Sequence, residues 1–128
     1  MQVRDGMTAT ALVVGPGHTL RQTAKLMRDR KVGAAVVHDD GGQGASILTE
    51  RDILESVALG QDPDAETAGD HLTPNAVVAD PDWSLDEAAN AMLRGGFRHL
   101  IVSENGAVVG VLSMRDVVRC WSRDHQPA

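Results

Sequence analysis

Gly110-Val111-Leu112-Ser113-Met114-Arg115-Asp116 decides how this chain reads, because Ser46-Ile47-Leu48-Thr49-Glu50-Arg51-Asp52 repeats its pattern 64 residues earlier. In both stretches an apolar run ends at a hydroxyl residue, and an aspartate follows three positions on. A run suited to a buried strand thus meets a Ser/Thr-x-x-Asp suited to the first turn of a helix. The match continues upstream at a shift of 65: Met7-Thr8 falls on Leu72-Thr73, Ala11 on Ala76, Val13 on Val78 and Pro16 on Pro81. Leu20 then meets Leu85, Ala24 meets Ala89, Met27 meets Met92, Val37 meets Val102 and Gly41 meets Gly106. The shift changes by one only in the Gly41-Gly42-Gln43-Gly44 loop, so the chain is a tandem repeat over about 45 positions.

Each copy reads as β-α-β-β-α. A short strand (11–14; 76–79) ends at a Pro-containing turn, and Thr19 or Ser84 then takes the N-cap position of a helix. Ser84-Leu85-Asp86-Glu87 predicts a capping box in the second copy. Leu20, Ala24 and Met27, like Leu85, Ala89 and Met92, predict a buried stripe at helical spacing. Strands follow at 34–38 with 46–48, and at 100–103 with 108–112. Asp40-Gly41 and Asn105-Gly106 supply the positive φ that tight hairpins need. Helices over 50–59 and 114–122 close the copies. The runs Ala34-Ala35-Val36-Val37 and Leu100-Ile101-Val102 predict strands covered on both faces. A copy of this size buries little surface by itself, so the expectation is an α/β (α+β) fold in which two pseudo-symmetric β-α-β-β-α motifs pack into one module. The boundaries read 1–60 for the first motif, 61–67 for an acidic Pro-containing linker, 68–122 for the second motif and 123–128 for a C-terminal tail.

Composition narrows the function. The 128 residues are 42% hydrophobic and 23% charged, as in an ordinary globular protein. A net charge of −6 without basic runs argues against nucleic acid, and one Phe, no Tyr and two Trp are too few for base stacking. No apolar run approaches a membrane span, and Met-Gln-Val-Arg-Asp-Gly lacks the apolar core of a secretory signal, so the expected location is cytoplasmic. The lone Cys120 sits in an apolar segment and reads as a small buried hydrophobe. There is no nucleophile–base pair, paired His ligand, P-loop or dinucleotide glycine pattern, so neither catalytic nor metal-ligating residues are expected and the chain does not read as an enzyme. His18, His38, His71 and His125 read as surface residues, and Trp83 and Trp121 as core or dimer contacts.

The repeated stretch carries binding chemistry instead. The start of a helix offers unpaired N–H groups and positive partial charge to a phosphate. Ser113 and Thr49 can donate a hydroxyl there, and an ionised Asp116 or Asp52 accepts from a donor pair such as the 2′- and 3′-hydroxyls of a ribose. Arg98 and His99 interrupt an otherwise apolar strand and are candidates for the phosphate. Arg115 joins them, although it and Arg51 also read as solvated helix residues. Ser/Thr-x-x-Asp is also an ordinary helix cap, and its occurrence at both equivalent positions favours the binding reading. The copies differ, since Gly33-Ala34 stand where the second copy has Arg98-His99. The Asp116 site is therefore expected to be the main one, with Asp52 weaker or suited to a neutral ligand.

From about Val3 to Arg119 the chain resembles a tandem pair of CBS domains, the family named after cystathionine β-synthase. Gly110 to Asp116 is similar to the family's Gly-apolar-apolar-Ser/Thr-x-x-Asp signature, with Ser46 replacing the glycine in the first copy. Phe97-Arg98-His99-Leu100-Ile101-Val102 resembles a second family stretch, with Ile101 where proline is common, and Thr67-Ala68-Gly69-Asp70-His71-Leu72-Thr73 fits the lead-in. The resemblance implies two clefts between the copies and a homodimer. It also implies an adenosine-containing ligand such as AMP, ADP, ATP, S-adenosylmethionine or NAD, with no covalently required cofactor. It places the adenine among Val13, Val14 and Val32 for the Asp116 site, and among Val78, Ala79 and Phe97 for the Asp52 site. The expected function is a stand-alone regulatory sensor read by an effector protein. The alternative is a dimerisation or interaction module with no physiological nucleotide.

Overall fold

A polar cap followed by an apolar stripe makes a helix in both copies. The computed structural model describes residues 1–38, 46–74 and 76–125. The first copy contains β1 (Val13–Val14), α2 (Leu20–Arg30), β2 (Ala34–Val37), β3 (Ser46–Thr49) and α3 (Glu50–Ala58), preceded by a short α1 (Val3–Gly6). After the short α4 (Ala68–His71), the second copy repeats the order as β4 (Val78–Ala79), α5 (Leu85–Gly95), β5 (His99–Glu104), β6 (Ala107–Ser113) and α6 (Met114–Asp124). Each copy makes a three-stranded sheet, β1-β2-β3 or β4-β5-β6, whose first pair is parallel and second antiparallel. The fold is the expected mixed α/β repeat.

Local chemistry explains most of these elements. Thr19 Oγ1 accepts from Gln22 N at 3.1 Å, and Gln22 Oε1 accepts from Thr19 N at 3.0 Å, so the complete capping box forms in the first copy. In the second, Ser84 Oγ accepts from Glu87 N at 3.0 Å, but the Glu87 carboxylate takes the Ser84 hydroxyl at 3.4 Å and leaves the reciprocal arm open. The buried stripes run Leu20-Thr23-Met27 and Leu85-Ala88-Met92, so Ala24 and Ala89 sit at the stripe's margin. Thr23 is tolerated inside because its hydroxyl donates to Thr19 O at 2.9 Å. All four residues of β2 are buried, as are Leu100, Ile101 and Val102, in keeping with strands covered on both faces. Asn105 (φ 53°) and Gly106 (φ 81°) turn the chain between the paired Glu104 and Ala107. The other expected hairpin residues, Asp40-Gly41, lie outside the described residues.

The sequence copies and the compact units differ in one respect. One unit joins Met1–Ala11 to the chain from Val77 onward, and the other is Leu12–Ala76. In the first, Val3 is fully buried, Val3 N donates to Trp83 O at 2.8 Å and Arg4 N to Pro81 O at 3.0 Å. Thr8 and Val111 exchange backbone hydrogen bonds of 2.9 and 3.1 Å. The core there is Val3, Ala79, Leu85, Ala88, Met92, Leu100, Val102, Leu112 and Cys120. In the other unit, the segment expected as a linker is bonded back to the first copy: Leu20 N donates to Glu66 O at 2.9 Å and Arg21 meets Asp64 at 2.5 Å. Gly69 N there donates to Pro16 O at 2.9 Å, and Ala68 is fully buried with Leu12, Val14, Leu20 and Leu48.

Gly110 shows how tightly one lead-in is held. A Cβ at that position would lie 2.6 Å from Thr8 O and 3.0 Å from Met7 Sδ. Gly110→Ala is expected to push the lead-in off β6 and cost about 1–3 kcal/mol, readable as a fall in the urea midpoint. A midpoint unchanged from wild type would show that the 1–11 segment is not held there.

Candidate functional site

The end of β6, the start of β5 and the start of α6 converge in the second copy. His99 pairs with Ser113 across the sheet, and Met114 N donates to Arg98 O at 2.8 Å. The backbones of Arg98, His99, Ser113, Arg115 and Asp116 therefore lie at one sheet end. Ser113 is the N-cap of α6: its Oγ accepts from Asp116 N at 3.0 Å, and Asp116 Oδ2 accepts from Ser113 N at 2.9 Å. Asp116 is only 7% exposed. A carboxylate so buried needs partners, and its Oδ1 has one in Arg119 Nη2 at 2.9 Å. Arg98 and Arg115 are exposed, and His99 is half-buried.

The first copy builds the same corner with less charge. Ala34 pairs with Thr49, and Glu50 N donates to Gly33 O at 2.9 Å. Asp52 Oδ2 receives both Thr49 N at 2.8 Å and the Thr49 hydroxyl at 3.1 Å. Asp52 N donates to Thr49 Oγ1 at 3.3 Å. Asp52 is half-buried, Arg51 is exposed, and among the described residues Asp52 has no ion pair.

The apolar candidates divide by exposure. Val13 and Val78 are 54% and 39% exposed, whereas Val14 and Ala79 pack inside the cores of their own units. In these two-residue strands the first side chain faces outward and the second inward, so Val14 and Ala79 present backbone only. Val32 and Phe97 are half-buried against those same cores. Val13, Val14, Val32, Thr49 and Asp52 belong to one unit, and Val78, Ala79, Phe97, Arg98, His99, Ser113, Arg115 and Asp116 to the other.

Residues outside the candidate set also find places. Cys120 is buried and free within one core cluster, and Trp83 is partly buried against that cluster. Trp121 is exposed and stacks on His125 with ring centroids 4.3 Å apart. Two histidines expected at the surface are half-buried and bonded: His18 Nδ1 accepts from Gly15 N at 3.0 Å, and His71 Nε2 lies 2.8 Å from Glu66 Oε1. Among the described residues no three His, Cys, Asp or Glu side chains gather as metal ligands. None of the described helices is long and apolar enough to cross a membrane. A side chain at this corner that sequence reading does not single out is Arg119, which pairs with Asp116 from three residues further along one helical face.

Known proteins share this architecture. The model of the CBS domain matches residues 2–59 and again 68–123. An uncharacterized 17.7 kDa protein of Acidianus ambivalens is 34% identical over 113 residues, covering 88% of this chain and 68% of that protein. Hypoxic response protein 1 of Mycobacterium tuberculosis is 32% identical over 117 residues, covering 91% of this chain and 82% of that protein. The chain spans only 54% and 43% of two longer relatives. Among solved structures, a CBS domain protein from Pyrobaculum aerophilum, complexed with AMP, is 28% identical with a TM-score of 0.80. That match covers 91% of this chain and 89% of that one.

Proposed function

The chain belongs to the CBS domain family, and from that premise we propose that it is a regulatory, non-catalytic module that senses an adenosine-containing ligand, chiefly through Asp116. The observation that carries this reading is the convergence of Arg98, His99, Ser113 and the buried Asp116 at the start of α6. The two basic side chains and the helix start suit a phosphate, and the carboxylate suits the ribose hydroxyls. The AMP complex of the Pyrobaculum aerophilum protein supports the choice of ligand class. Ligand binding would favour one arrangement of the module, which an effector protein then reads. Exposed apolar side chains on α3 (Leu54, Val57) and α6 (Val118, Trp121) support self-association as a homodimer. The proposed location is the cytoplasm.

A thermal-shift panel of AMP, ADP, ATP, S-adenosylmethionine and NAD tests the proposal. A ligand at a hundredfold excess over its dissociation constant is expected to add about 2.7 kcal/mol, raising the midpoint by several degrees. The 2′-deoxy analogue of the active ligand is expected to shift it less. No shift with any of the five would overturn the sensor reading in favour of an interaction module without a nucleotide.

A further inference from the structure

The two half-sites spend their hydrogen-bonding capacity differently. At Asp116, Ser113 N takes one position on Oδ2 and Arg119 Nη2 forms an ion pair with Oδ1 at 2.9 Å, which leaves acceptor capacity on each oxygen. Ser113 Oγ accepts from Asp116 N, and among the described residues its own hydrogen has no acceptor. At Asp52 both Thr49 groups fall on Oδ2, so the open positions share Oδ1 and the Thr49 hydroxyl is already committed. The shift of 64 residues that aligns the signatures lays Glu55 on Arg119. An acidic side chain there cannot draw the carboxylate over.

We infer that Arg119 is a positioning residue that sets the Asp116 carboxylate to take a ribose diol one hydroxyl per oxygen, and that Glu55 leaves the Asp52 half-site without this setting. The inference rests on the adenosine-ligand reading above and adds what makes the copies unequal. Arg119 is half-exposed, its Nη2 also lies 3.4 Å from Gly6 O, and its charge offsets the burial of Asp116. By holding Oδ1 it keeps Asp116 from collecting the Ser113 hydroxyl as Asp52 collects that of Thr49. The freed hydroxyl can then serve a phosphate oxygen, so one arginine prepares both ends of a nucleotide.

Calorimetric titration of the whole chain with AMP and 2′-deoxy-AMP tests this in wild type, Arg119→Gln, Arg119→Lys and Glu55→Arg. Arg119→Gln is expected to weaken AMP about tenfold, the scale of one charge-assisted hydrogen bond, and to abolish most of the preference for AMP over its 2′-deoxy form. Arg119→Lys should recover part of that preference. Glu55→Arg should strengthen the weaker site until a second AMP per chain is measurable. A purely structural role for Arg119 would lower the melting midpoint and leave the AMP to 2′-deoxy-AMP ratio as in wild type, and that result overturns the inference. If Arg119→Gln fails to fold, Glu55→Arg decides, and no gain at the weaker site overturns it. Wild type that binds AMP and 2′-deoxy-AMP equally would instead sink the ribose role of Asp116 itself.

Discussion

Deleting residues 1–8 is expected to strip protection from the far half of the chain, β4 to α6, although the cut lies beside β1 in sequence. The segment gives that half a fully buried Val3 and backbone bonds to Pro81, Trp83, Leu85 and Val111. Burying a valine is worth about 1.5–3 kcal/mol and each backbone bond about 1 kcal/mol. The loss is therefore on the order of 5 kcal/mol, comparable with the whole stability of a domain this size. Hydrogen exchange should show the effect first in β5 and β6. Trp83 is the half-buried reporter, because its carbonyl receives Val3 N while Trp121 is exposed. Val3→Asp should act similarly by burying an unpaired carboxylate. Loss of protection confined to residues 12–58 would show that the opening segment belongs to the copy it precedes.

The sequence made the repeated elements legible because their causes are local. Thr19 and Ser84 before a three-to-four spaced stripe describe α2 and α5, and Asn105-Gly106 describes its turn with two residues. α1 and α4 escaped because four residues are too few to display a helical period, and they are held by partners distant in sequence. The lead-ins were hidden for the same reason: Gly110 reads as a signature residue, and only its 2.6 Å approach to Thr8 O reveals a packing role. The site follows the same division. Ser113 and Asp116 are three residues apart and could be paired from spacing, whereas the arginine at 119 is not singled out by sequence and shows its link only once Asp116 is seen to be buried. Which member of Val13-Val14 or Val78-Ala79 faces inward depends on pairing with β2 or β5, which a two-residue strand cannot announce.

Asp116→Ala should weaken binding of an adenosine phosphate far more than Asp52→Ala. Two charge-assisted hydrogen bonds to a ribose, each contributing about 1.5 kcal/mol or more, correspond to roughly a hundredfold in dissociation constant. Asp52→Ala should cost only a few-fold, because Gly33-Ala34 bring no charge and the Thr49 hydroxyl is already spent. Each substitution also removes a helix-cap partner, since Ser113 N and Thr49 N bond to these carboxylates. Both variants should therefore lose about 1 kcal/mol of stability, and this shared loss separates folding from binding. Asp116→Asn sharpens the comparison: the amide keeps one acceptor oxygen, which Ser113 N and the ligand must then share, and it loses the ion pair to Arg119. Its affinity should fall between those of wild type and Asp116→Ala. Equal losses at positions 52 and 116, measured by calorimetry under one set of conditions, would mean that the Arg98-His99 corner does not distinguish the two copies.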